Sequence, residues 1–440
     1  MRLYRSFNEF GSPLALQGAG AAHSVPNPED IRRVQLPNGI VVLSRANLNS
    51  PSISLSGYLQ VGGIFDPDEK LGLANFTSAA LLRGTRKRDF QGIYDALESA
   101  GASLGFDGGT HTMNFGGKAL VEDLSLLLDL LVEALRYPTF PAEQVERLRS
   151  QLLTGLAIRA QNTGEMAAQT FDQIAYANHP YSRPEDGYPE TVQAINRDDL
   201  LAFQQKMYGP AGMVIAIVGA AEPDRVLEMV AAAFGDWSNT DQPTPPELPE
   251  LAVLEELVRR KTTIPGKSQA DIVLGAPGPT RLSPDYIAAS LGNSVLGQFG
   301  MMGRIGETVR ERAGLAYYAS SSLGGGIGPG PWRVVAGVDP ENVERATQLI
   351  QQEIARFVSE PVEANELADS QANYIGRLPL SLESNAGVAR ALLNLERYDL
   401  GLDYYVRYPD IIRSVTVEEV LEAAGRYLHP QRLAVGIAGP

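Results

Sequence analysis

Segments of this chain recur at one fixed separation, and that limits what it can fold into more than any single motif does. Ile195, Asp198, Asp199 and Leu200 stand 220 positions before Val415, Glu418, Glu419 and Val420. Pro210 and Pro430, Ile217 and Ile437, and Gly219 and Gly439 keep the same spacing. Upstream it holds for Pro141 and Pro361, Glu143 and Glu363, Glu146 and Glu366, Ser150 and Ser370, and Gln151 and Gln371. Chance does not preserve one offset over about 80 residues, and self-similarity of this kind marks a repeated structural unit. Because 220 is half of the 440 residues, the chain reads as a duplicated domain.

Between the copies, the segment from Ser238 to Glu250 carries Pro243, Pro245, Pro246 and Pro249. Proline fixes φ and donates no amide proton, so a semi-rigid extended linker is expected there. The organisation read from this is an N-terminal extension over 1–30, a first domain over 31–237, a linker over 238–252 and a second domain over 253–440. Short β-rich runs lie at Ile40 to Leu43, Ile53 to Gln60, Met213 to Val218 and Trp332 to Val338. Helical periodicity lies at Ser125 to Leu135, Ala142 to Ala160 and Ala346 to Phe357. Strands and helices do not alternate as strict βαβ units, so the expected class is α+β: two homologous layered domains, each a mixed, largely antiparallel sheet with helices packed on it.

Composition removes several functions. The 52 acidic against 37 basic residues leave a net charge of −15, a field that repels phosphate backbones and anionic membranes. The absence of cysteine rules out disulfides, thiolate metal sites and cysteine nucleophiles. Four histidines remain, His23, His111, His179 and His429, none within a helical turn of another. Leu124 to Leu135 is apolar but interrupted by Asp129 and Glu133, and it falls short of the ~20 residues of a membrane span. No secretory signal is visible in the N-terminal residues, and the expected location is cytoplasmic, or periplasmic for a trimmed chain.

The stretch from Gly72 through Asn75, Phe76, Ser78 and Ala79 to Arg83, Gly84 and Thr85 resembles the metal-binding helix of the pitrilysin/insulinase family of zinc peptidases. In that family two histidines four apart hold zinc, and a glutamate beside the second acts as general base. Here those positions are Asn75, Ser78 and Ala79. The family's third ligand is a glutamate on a later helix, and the segment from Arg147 to Gly164 holds no acid at all. The resemblance therefore implies a peptidase fold with a degenerate metal site, arranged as a clamshell, with no metal in this chain. Arg310 and Tyr317, joined through Gly314 and Leu315, are similar to the family's C-terminal motif, with Tyr318 an adjacent decoy. There the arginine bonds the bound peptide's carbonyls and the tyrosine steadies the developing oxyanion, as fixed donors aimed at developing charge do. Without that role, Arg310 would be a surface ion-pair residue and Tyr317 a strand-core aromatic. Further landmarks follow in the family's order, among them Leu36 to Gly39, His179 to Pro184, and Phe234 to Trp237.

Gly297, Gly300, Gly303 and Gly306 lack the Gly-Lys-Ser/Thr triplet of a phosphate loop. By resemblance, Gly297, Gly300 and Gly303 form a glycine-rich loop that handles peptide. A second cluster, Gly324 to Pro331, reads as a flexible loop or a hairpin end. His179 is expected to bond locally within a turn, and His111 to sit on a strand. The intact Arg/Tyr motif beside the lost ligands implies the metal-free subunit of a two-chain peptidase. Its partner would be a homologous zinc-binding subunit in a heterodimer, the isolated chain would be monomeric or homodimeric, and the substrate would be a peptide. The competing reading is a non-enzymatic scaffold or peptide-binding homologue.

Overall fold

The computed structural model describes residues 25–299 and 303–440. In the first half the strands are β1 (Arg32–Gln35), β2 (Val41–Ala46), β3 (Ser52–Leu59), β4 (Ser103–Gly108), β5 (Met113–Leu120) and β6 (Val214–Gly219). The helices around them are α1 (Leu73–Ala80), α2 (Phe90–Ser99), α3 (Leu124–Arg136), α4 (Ala142–Arg159), α5 (Thr163–Ala175), α6 (Pro189–Ala194), α7 (Arg197–Met207) and α8 (Pro223–Phe234). In the second half β7 (Val258–Thr263), β8 (Ala270–Pro277), β9 (Ala316–Leu323), β10 (Pro331–Val338) and β11 (Ala434–Gly439) are accompanied by α9 (Tyr286–Asn293), α10 (Val343–Ser359), α11 (Ala364–Ser381), α12 (Asn385–Arg397), α13 (Tyr404–Ser414) and α14 (Val417–Tyr427).

The two sheets have one topology. Their orders are β1-β2-β6-β3-β5-β4 and β7-β11-β8-β10-β9, so the second repeats the first without its edge strand β1. In each, one parallel pair stands among antiparallel neighbours: β2 with β6, and β7 with β11. The class expected from sequence is the one found. The offset survives in the closing elements, where α7 and α14, and β6 and β11, begin 220 residues apart.

All six residues of β6 and all six of β11 are buried, which requires cover on both faces. One face of each sheet is covered by helices of its own half. The other is covered by a helix from the opposite half. Ala167, Phe171 and Ile174 of α5 pack with Val273, Ala434 and Ala438 of the second sheet. Val388, Ala389 and Leu392 of α12 pack with Leu43, Tyr58 and Val214 of the first. Polar contacts follow the exchange: Thr170 bonds Thr262 at 2.7 Å, and the Asn385 amide donates to the Ser52 carbonyl at 3.1 Å. Gly436 lets α5 approach this closely, since a Cβ there would lie 2.3 Å from the Ala167 carbonyl oxygen.

Residues 238–252 contain no helix or strand. They are nonetheless tied down, because the Asn239 side chain donates to the Tyr208 carbonyl at 2.8 Å and Leu251 packs beside the α5 cluster. His111 departs from expectation: it lies in the turn between β4 and β5, where the chain reverses over residues 109–112. The Gly324 to Pro331 segment is a hairpin end, between β9 and β10, but it is packed rather than free. The Gly328 amide bonds the Tyr181 hydroxyl oxygen, and the Tyr176 hydroxyl donates to the Pro329 carbonyl at 3.0 Å. A Cβ on Gly328 would meet that Tyr181 oxygen at 2.2 Å, so glycine here serves close approach between the halves.

Candidate functional site

Asp66 builds the start of α1. Its buried carboxylate accepts from the Gly72 and Ala74 amides at 2.8 and 2.9 Å, satisfying donors that a helix N-terminus leaves open. Burial pushes its pKa up to about 7, while the amides pull the other way. Gly72 takes the left-handed conformation, φ 93°, that turns the chain into the helix. Phe76 is fully buried and stacks under the Arg149 guanidinium of α4 at 5.4 Å, which holds α1 and α4 together.

On this helix lie Asn75, Ser78 and Ala79, the positions at which the sequence resemblance places two zinc-binding imidazoles and a carboxylate. The Ser78 hydroxyl is spent on the Asn75 carbonyl, at 2.8 Å, and Ala79 has no donor atom. Strand β4 closes on the same face, because a Cβ on Gly108 would lie 2.8 Å from both the Asn75 Cα and the Ser78 Oγ. Among the described residues no group of three or more His, Asp or Glu side chains is placed to hold a metal ion. These residues do not fit a zinc ion, for want of charged or imidazole ligands.

Arg310 and Tyr317 lie in the second half. A π-helical segment, Gly306–Arg312, is followed by Gly314 with φ 66° before the chain enters β9, so that Gly314 supplies the turn between the two residues. Tyr317 is 59% exposed and therefore not a strand-core aromatic. Arg310 is half-exposed, with its Nε 3.9 Å from Glu311. Such a long, exposed pair contributes little and leaves the guanidinium available. Tyr318 differs from its neighbour: its hydroxyl donates to the buried Asp271 on β8, and burial raises its pKa.

The glycine-rich loop begins in a second π-helical segment, Ser294–Gln298. Gly300 lies outside the described residues, whereas Gly297 and Gly303 pinch the loop's base. A Cβ on Gly303 would stand 2.4 Å from the Gly297 Cα. Arg304 follows, buried and paired bidentately with Glu366 of α11. Phe299, at the edge of a neighbouring 440 Å³ cavity, is 36% exposed.

Sequence patterns missed a third assembly. His111 Nε2 and the Tyr181 hydroxyl are 2.6 Å apart, and the His179 Nδ1 accepts from the Tyr181 amide at 3.1 Å, the local bond expected of that turn. Burial lowers the pKa of both histidines and raises that of Asp172 to about 6. His111, Tyr181 and Asp172 border a 460 Å³ cavity shared with Arg333 and Arg397 of the second half. Only the adjacency of His179 and Tyr181 was legible in sequence; His111 arrives from another hairpin.

The spent Ser78, the turn at Gly314 and the pinched loop all sit in one recognisable frame. Residues 41–185 match the model described as Insulinase (Peptidase family M16), and residues 194–374 match Peptidase M16 inactive domain. The chain belongs to the insulinase family, M16. It is 26% identical to a Streptomyces coelicolor protein named an uncharacterized zinc protease, over 93% of this chain and 90% of that one. To the mitochondrial-processing peptidase subunit beta of Bos taurus it is 22% identical, over 98% and 89%. Among solved structures it superposes on a peptidase M16 inactive domain from Pseudomonas fluorescens with a TM-score of 0.87 and 27% identity, covering 93% of this chain and 98% of that one. No helix among its described residues is long and apolar enough to cross a membrane.

Proposed function

We propose that this chain is the metal-free subunit of a two-chain M16 peptidase. Arg310 and Tyr317 are its contribution to a composite site: the guanidinium fork holds peptide carbonyls, and the exposed phenol donates to the oxyanion of the tetrahedral intermediate. The carrying observation is the asymmetry between the two sites. The positions on α1 are unfit for metal, whereas Arg310 and Tyr317 remain exposed and uncommitted to strong partners. The zinc and the general base come from a homologous partner, so this chain holds no cofactor of its own. The glycine-rich loop at Gly297, Gly300 and Gly303 guides peptide toward the pair. Relatives named zinc proteases and a processing-peptidase subunit support a peptide as substrate.

The test mixes the chain with a co-purifying or genetically adjacent M16 chain that retains the zinc motif. Hydrolysis should rise well above that of the partner alone. Arg310→Ala and Tyr317→Phe should each lower kcat by about 10²-fold, the cost of removing one preorganised donor. A stable complex with no gain in hydrolysis, indifferent to both substitutions, assigns the chain to scaffolding or peptide capture instead.

A further inference from the structure

A pair of joined cavities in the second half, of 310 and 320 Å³, is bordered by Arg281, Gln298, Tyr374 and Tyr408 on both sides. Arg281 forms its floor, caged by the rings of Tyr286, Tyr404 and Tyr398 at 4.5, 5.7 and 5.8 Å. Its Nη2 donates to the Tyr404 hydroxyl at 2.9 Å, and its amide donates to the Gly326 carbonyl at 3.0 Å. Gly325 backs Tyr286 so closely that a Cβ there would lie 2.3 Å from the phenol oxygen. The cage is thus preorganised by the second glycine cluster.

Arg377 stands at the exposed rim of the same cavity, and no carboxylate lines it. Among the described residues neither arginine has an acidic partner within ion-pair distance. In a chain of net charge −15 this is a local reversal of sign. One guanidinium fork set among aromatic rings, with a second at the rim, matches a planar carboxylate attached to an apolar group, because the fork binds both oxygens and the rings cover the apolar part. The tyrosines remain donors, since burial raises Tyr374 and Tyr405 to about 12. Tyr374 donates to Gln298 Oε1 at 3.0 Å, which ties the cavity to the start of the glycine-rich loop.

We propose that this cavity binds a peptide carboxylate, from an acidic side chain or a free C-terminus, and so anchors an acidic or terminal peptide residue beside the glycine-rich loop. This rests on the peptide-handling reading given above, and it favours an anionic group where a net charge of −15 by itself favours cationic ones.

The experiment is calorimetric titration of the full chain, alone, with four short phenylalanine-containing peptides. One has a free C-terminal carboxylate, the second is its amide, and the third and fourth are doubly blocked and differ by Glu against Gln. At least one carboxylate peptide should bind about tenfold to hundredfold more tightly than its neutral counterpart, the worth of one charge-assisted bond. Which pair shows the difference identifies the source of the carboxylate. Arg377→Gln, at the exposed rim and so without effect on folding, should remove most of that difference, and Arg281→Gln should remove the rest. Equal binding of charged and neutral peptides, or a difference unchanged in both variants, overturns the proposal. No partner chain enters the measurement, so its failure is separate from any failure of the composite site.

Discussion

Single residues decide what chemistry this fold retains. Asn75, Ser78 and Ala79, which offer no imidazole or carboxylate, sit on an intact, well-capped helix. The cap makes that claim measurable. Asp66→Ala leaves the Gly72 and Ala74 amides without their acceptor in a buried position. An unfolding titration should therefore show a loss of about 2 kcal/mol. Little change would mean that α1 starts without its cap. The motif's frame, from Gly72 to Thr85, was legible in sequence because backbone turns and apolar contacts demand particular residues at fixed spacing. The donor set of Arg281 was not, because its rings come from α9, α13 and the segment after α12, more than 100 residues away in part.

At the level of helices and strands, the exchange of α5 and α12 carries most of the consequence. Periodicity marked the runs that became β2, β3, β6, β10, α3, α4 and α10, since a half-buried helix or strand must present apolar residues at its own repeat. It did not mark β7, whose residues are largely exposed and whose pairing supplies the order that side chains do not. Nor could it say which sheet a helix would cover, because an apolar stripe fits any apolar face. Gly436→Ala tests that docking. The added methyl would collide with the α5 backbone at Ala167 and Phe171, and overpacking of this kind costs about 1–3 kcal/mol. Denaturant unfolding should show the loss with an unchanged slope; a neutral result would mean that α5 rests on the sheet more loosely than the geometry requires.

Across the whole molecule, the exchange makes the two halves interdependent. Fragments 25–245 and 246–440 expressed separately should each be aggregation-prone, since each leaves one face of its central strand bare, and they should become soluble on co-expression. Soluble, cooperatively folded single fragments would refute this. The contact between halves is also pH-sensitive through His111. Its pKa is lowered in the folded state by burial, so the unfolded chain, with a histidine pKa near 6.5, binds the proton more readily. The stability this residue contributes is present above about pH 6.5 and falls away on acidification. Asp172, raised to about 6, works in the opposite sense, favouring the fold at low pH and losing that contribution as pH rises. His111→Gln leaves Asp172 in place. Its melting temperature should fall less than that of the unaltered chain between pH 7.5 and 5.5, and equal slopes would remove His111 from the contact's titration.

The duplication and the α+β class could be read along the chain, as could the spacing of Asn75, Ser78 and Ala79 and of Arg310 and Tyr317, because each depends on residues near one another in sequence or on a register that repeats. The pairing of each sheet with the other half's helix, the packing of the Gly324 to Pro331 hairpin against Tyr181, and the tyrosine cage around Arg281 were decided by the tertiary structure. They join surfaces that local sequence leaves equally able to pair elsewhere, and only close packing selects among them.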